Sequence, residues 1–161
     1  MAATTDRTTI KAALDALIDV LRANLIADPP TATKPLRLIG EGDGGATLHA
    51  RPFMSVRIER ARVLGVTDDD KIMEVAAGMR VVVDASGSSS RDAILDVVGA
   101  VDDYLDSIRD TGVIDGADGF DDRTWTFAYP KPIAGARMMT ADASLPFVVR
   151  VARGFNRVTG P

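Results

Sequence analysis

Apolar residues recur along this chain with two periods, and the changes of period divide it into elements. Near the N-terminus, Ile10, Leu14, Leu17, Ile18, Leu21 and Leu25 fall at steps of three and four. That spacing lines one stripe of an α-helix. Lys11, Asp15, Asp19 and Arg22 fall mostly on the other side. Thr8 or Thr9 offers an N-cap oxygen. Asp28-Pro29-Pro30 ends the helix, because proline lacks the amide donor and restricts the residue before it. The spacing predicts a first helix over 8–27. A second stripe of Ile94, Val97, Val98, Val101, Leu105 and Ile108 predicts another over 89–110. The outer face of this helix carries Asp92, Asp96, Asp102, Asp103 and Asp106.

Between the helices the period drops to two, the mark of a half-buried strand. Met54, Val56 and Ile58 share one face opposite Arg57 and Glu59, and the phase slips at Arg60-Ala61, where a bulge is expected. After the turn Gly65-Val66-Thr67-Asp68-Asp69-Asp70, the residues Met73, Val75, Ala77, Met79, Val81 and Val83 hold one face. Together these segments predict a long antiparallel hairpin over 52–84. At 3.4 Å per residue it extends about 40 Å, so part of it is expected to protrude. A third alternating region closes the chain. It sets Trp125, Phe127 and Tyr129 on one face, then Leu145, Phe147, Val149 and Val151. Most of the aromatic residues gather here, so the strand pair over 123–155 reads as what the other elements pack on. Its connection, 131–142, reads as a loop held out by the strands.

Residues 31–51 read as a long connection with a short edge strand from Leu36 to Ile39 and a flexible G-E-G-D-G-G loop. Helix, long hairpin, helix and two strands make an α+β fold. An antiparallel or mixed sheet carries two amphipathic helices on one face. At 161 residues the chain is expected to be one domain.

Composition narrows the chemistry. There is no Cys, which removes disulfides, thiolate metal sites and Cys nucleophiles. No run approaches the ~18 apolar residues of a membrane span, and M-A-A-T-T-D-R does not read as a signal peptide. The one His, His49, lies in a loop with no indicated partner, and no G-x-S-x-G elbow accompanies any Ser. G-E-G-D-G-G lacks the spacing and terminal Lys of a phosphate loop. Asp115, Asp118, Asp121 and Asp122 offer oxygen ligands, but not at EF-hand spacing. Neither a catalytic residue, a cofactor nor a metal is assigned.

Charge is segregated more than it is unbalanced. The net value is −4, yet residues 102–122 hold eight Asp and one basic residue, while 34–62 hold six basic residues against three acidic ones. The acidic pI of 4.9 and the presence of only one aromatic, Phe53, among the basic residues disfavour nucleic-acid binding. Opposite patches on one surface suit head-to-tail contact between copies, although solvated faces account for them as well. The long hairpin also presents unpaired edges that another chain can join unless they are guarded. Candidate contact residues are therefore Arg57, Arg60, Arg62, Glu74 and Arg80 on the hairpin and Asp102, Asp103 and Asp106 on the second helix. Gly42 and Gly44 in the glycine-rich loop, and Lys131 and Arg137 in the late loop, complete the set.

The element order, the hairpin opening P-F-M-S-V-R, and the closing D-D-R-T-W-T-F-A-Y-P and A-S-L-P-F-V-V-R-V-A-R-G-F resemble the tail terminator proteins of long-tailed bacteriophages. The resemblance covers residues 8–156 and rests on element order and short apolar signatures, with no invariant motif. The long glycine-rich connection and the K-P-I-A-G-A-R-M-M-T-A-D segment depart from it. It implies a structural virion protein, made in the host cytoplasm, with no catalytic residues. Copies would form a hexameric ring that caps the tail tube, stops its growth and meets the neck. The implied partners are copies of the chain, the tail tube protein and a neck or connector protein, with a tail sheath as a further candidate. Membranes and sequence-specific nucleic acid are not among them. Other neck, head-closure or tail-completion proteins are the nearest alternative. An α+β domain binding a small molecule or acting as an enzyme through the Asp-rich or Gly-rich loops is the alternative of another class.

Overall fold

A computed structural model describes residues 9–42, 52–67, 69–84, 90–109, 117–120, 123–128 and 138–152. The fold is α+β. Helix α1 runs Ile10–Leu25 and begins at Thr9, whose side chain accepts the Ala12 N–H at 3.0 Å. That bond satisfies one of the orphan donors of the first turn. The chain leaves the helix in extended backbone at Ile26, ahead of the two prolines. Helix α2 spans Ser90–Ile108. Both apolar stripes are buried as their spacing predicts, from Leu14 to Leu25 and from Ile94 to Ile108.

Among the described residues, six strands form one mixed sheet. They are β1 (Leu38–Glu41), β2 (Phe53–Val66), β3 (Asp70–Asp84), β4 (Ala117–Phe120), β5 (Thr126–Ala128) and β6 (Met138–Ala152). The order across the sheet is β1-β2-β3-β6, with β4 and β5 sharing the far flank of β6. Among these six strands, only β1 and β2 run parallel. The expected hairpin is present, and Thr67 closes its turn by taking both backbone and side-chain bonds to Asp70. Register shifts between Ile58 and Arg60 and between Val63 and Gly65 place extra residues at Glu59 and Leu64. The first lies one residue before the predicted phase slip.

Alternation assigns the two faces. Met54, Val56, Met73 through Val83 at odd positions, and Met139 through Val149 at odd positions pack with α1 and α2 into one core. Both helices lie on this face, as the amphipathic stripes require. The other face carries Ser55, Arg57, Glu74, Gly78, Arg80, Asp142 and Arg150.

Two expectations change. The first is that 131–142, read as a loop, is not wholly one. β6 begins at Met138 and pairs with β3 residue for residue, from Asp84↔Met138 to Asp70↔Ala152. It therefore lies inside the sheet. Met139, Ala141 and Ala143 do alternate, but Ala and Asp are poor strand formers, and burial against β3 decides here rather than propensity. β5 is only three residues long, and Trp125 and Phe127 are half-buried rather than central. The second change concerns the hairpin. Because β6 pairs the full length of β3, the hairpin does not protrude as a free ribbon, and only its β2 flank is left open.

Gly78 in β3 is required by a close approach. A Cβ built there overlaps the Glu59 side chain, which lies across it from the bulge. Gly78→Ala is expected to lower stability by about 1 kcal/mol, the small end of an overpacking cost. The same change in a Glu59→Ala background should cost nothing measurable. Urea midpoints of the four proteins of this double-mutant cycle check it.

Candidate functional site

The candidate contact residues fall in three places. The first is a half-open hollow of about 170 Å³ on the helix-free face, lined by Gly42, Ser55, Arg57, Glu59, Gly78, Arg80 and Asp142. Strand register builds it. Ser55 stands opposite Arg80, which stands opposite Asp142, and Arg57 stands opposite Gly78. Arg80 is held by Asp142 through a forked pair at 2.7 and 3.2 Å. Gly42 ends β1 at φ 127°, a conformation open to glycine, and donates its N–H to Val56 at 3.1 Å. Arg57 has no ion-pair partner among the described residues.

The second place is the next part of the same face. Arg60 and Arg62 both reach Glu74, at 3.8 and 3.2 Å. Two guanidinium groups on one carboxylate leave an excess positive charge. Both arginines are largely exposed although Glu74 is not, and each pair contributes little to stability.

The third place is α2. Asp102 and Asp106 lie one turn apart, within reach of a single guanidinium. Arg123, just before β5, takes both. Its Nε donates to Asp102 at 2.6 Å, and one terminal nitrogen donates to Asp106 at 2.9 Å and to the Asp102 carbonyl at 2.8 Å. Trp125 Nε1 also donates to the Asp102 carboxylate, at 2.8 Å. The Arg123 side chain is 4% exposed. Asp102 and Asp106 thus tether the segment entering β5 from within the chain, while Asp106 keeps 57% of its side chain exposed. Asp103 remains exposed and unpaired among the described residues. Burial raises the neighbouring Tyr104 phenol above its ordinary value, so it is neutral and serves packing.

The hairpin residues Arg57 and Arg80 and the loop residue Gly42 therefore come together, with Arg60, Arg62 and Glu74 beside them. Asp102, Asp103 and Asp106 do not join them. Gly44, Lys131, Arg137 and His49 lie outside the described residues, as do Tyr129 and the Asp115, Asp121 and Asp122 of the acidic stretch. Asp118 falls in β4. Among the described residues no three His, Asp or Glu side chains gather to hold a metal ion. No described helix is long and apolar enough to cross a membrane. Sequence reasoning missed Arg123. The signal was present in the four-residue spacing of Asp102 and Asp106, which the sequence reading assigned to candidate contacts between copies. In comparisons with known proteins, neither a family model nor a curated sequence matches the chain.

The carboxylates that Arg123 holds stay within reach of water, 34% and 57% exposed, so the loss is that of charged hydrogen bonds and of the buried Arg123 side chain itself. Arg123→Ala is expected to cost about 1–2 kcal/mol. Arg123→Lys should recover less than half of that, because lysine has no planar fork for two acceptors. Trp125 is the only Trp, so its emission should shift to the red in both variants. Chemical unfolding followed by Trp fluorescence measures both effects.

Proposed function

We propose that the chain is a virion assembly protein, a tail terminator whose copies form a ring on the end of the tail tube, stop its growth and join it to the neck. The observation that carries this reading is the open flank of β2. β1 pairs only Phe53 to Val56, and beyond them the strand has no neighbour on that side among the described strands. A long, unpaired sheet edge bearing Arg57, Arg60 and Arg62 suits repeated contact between identical subunits. The order helix, long hairpin, helix and closing strands also agrees with the element order on which the resemblance rests. A second reading, binding of a small polar molecule, rests on the hollow beside Gly78. At about 170 Å³ that hollow is below the ~300 Å³ of ordinary ligand clefts, which favours the first reading.

Light scattering and negative-stain imaging of the purified chain, alone and mixed with tail tubes, test the proposal. Rings, free or seated on tube ends with tube length held constant, are the expected result. A chain that stays monomeric and leaves tube ends bare overturns it.

A further inference from the structure

We propose that the open flank of β2 docks on the outward stripe of α2 of a second copy. This deepens the ring reading and rests on it. Four large apolar side chains stand exposed among the described residues: Val63 at 48%, Leu64 at 50%, Val66 at 55% and Leu95 at 43%. Three of them fall at the end of β2, on the stretch that β1 does not cover: Val63 and Val66 in the row of the helix-bearing face and Leu64 at the second bulge, along the same free flank as Arg57, Arg60 and Arg62. The fourth lies on α2, within the stripe Asp92, Leu95, Asp96, Gly99 and Asp103, whose steps of three and four keep them on one side.

The two surfaces are opposite in charge. Arg57, Arg60 and Arg62 precede the apolar end of β2, with Glu74 shared between two of them. Asp92, Asp96 and Asp103 are exposed and have no ion-pair partner among the described residues. They are the available carboxylates, since Asp102 and Asp106 are taken by Arg123. The lengths also match. Arg57 to Arg62 spans about 17 Å of strand, and Asp92 to Asp103 spans about 17 Å of helix.

Gly99 supplies an independent reason. A glycine in mid-helix is destabilising, and here a Cβ would meet nothing within 4 Å. Packing within the chain therefore does not require it. An uncovered turn of backbone beside Leu95 is where a side chain such as Leu64 from a neighbour can approach closely. The two patches differ, so the contact is heterologous and repeats from copy to copy.

The chain has no Cys, which makes cross-linking clean. L64C combined with L95C should give a ladder of disulfide-linked multimers under mild oxidation, while each single variant stays unlinked. Gly99→Gln should leave the unfolding midpoint unchanged or raise it, yet weaken self-association at least roughly tenfold in sedimentation. Replacing Arg57, Arg60 and Arg62 by Glu should abolish association, and adding Lys at 92, 96 and 103 in the same chain should restore it. Linkage of L64C alone would show edge-to-edge pairing and overturn the proposal. Rings that form regardless of G99Q and both charge changes would overturn it and leave the ring reading standing. A wild-type chain that never associates, even beside tail tubes, would remove both.

Discussion

The antiparallel register between β3 and β6 joins residues far apart in the chain, from Asp84 with Met138 to Asp70 with Ala152, and the Arg80–Asp142 pair spans 62 residues. Every residue of β3 from Asp70 to Asp84 has a partner on β6. The pairing aligns two rows of apolar side chains, and neither row alone is wide enough to cover a helix. Side by side they make the floor on which α2 buries its stripe, while α1 lies mainly over β1 and β2 and completes the same core. Long-range pairing of this kind costs chain entropy before it returns any burial. Helix and sheet therefore depend on each other: without the β3–β6 floor, the stripe of α2 would face water.

The same register shapes the functional surface. Because β6 occupies one side of β3 and β2 the other, the polar residues of all three strands fall on the helix-free face in fixed rows. Ser55, Arg80 and Asp142 make one row, and Arg57 and Gly78 stand in the next. The bulge at Glu59 throws its carboxylate across Gly78 and gives the hollow one wall. β1 stops after four residues, and that stop leaves the β2 flank open. Edges are ordinarily guarded by charge and by bulges, and this one has both. Yet Arg60 and Arg62 fold onto the sheet face toward Glu74, and Val63, Leu64 and Val66 remain uncovered at the end.

The acidic helix shows how one residue class can hold two roles. Five outward Asp residues look alike in the sequence. Two of them, Asp102 and Asp106, are spent on Arg123 and the Trp125 indole, which tie the entry of β5 to the helix. The remaining three face solvent beside Leu95 and Gly99. Their difference comes from a partner seventeen to twenty-one residues further along the chain.

Helical and strand periodicities determined α1, α2, β2 and β3, including the buried face of each, because amphipathic spacing is a local property of the chain. The α+β class followed from their order. Tertiary structure alone decided the place of β6. Met139, Ala141 and Ala143 carry too little bulk to announce a strand, and only burial against β3 makes them one. It also decided that the hairpin is a flank and not a free ribbon, since that depends on how far β6 extends. The candidate surface was legible in part. Arg57, Arg60, Arg62 and Arg80 were visible as outward positions of strands, but their grouping with Ser55, Gly78 and Asp142 needed a register. Which Asp are free and which are tethered lay beyond the sequence, because an ion pair is defined by the fold that brings Arg123 to the helix.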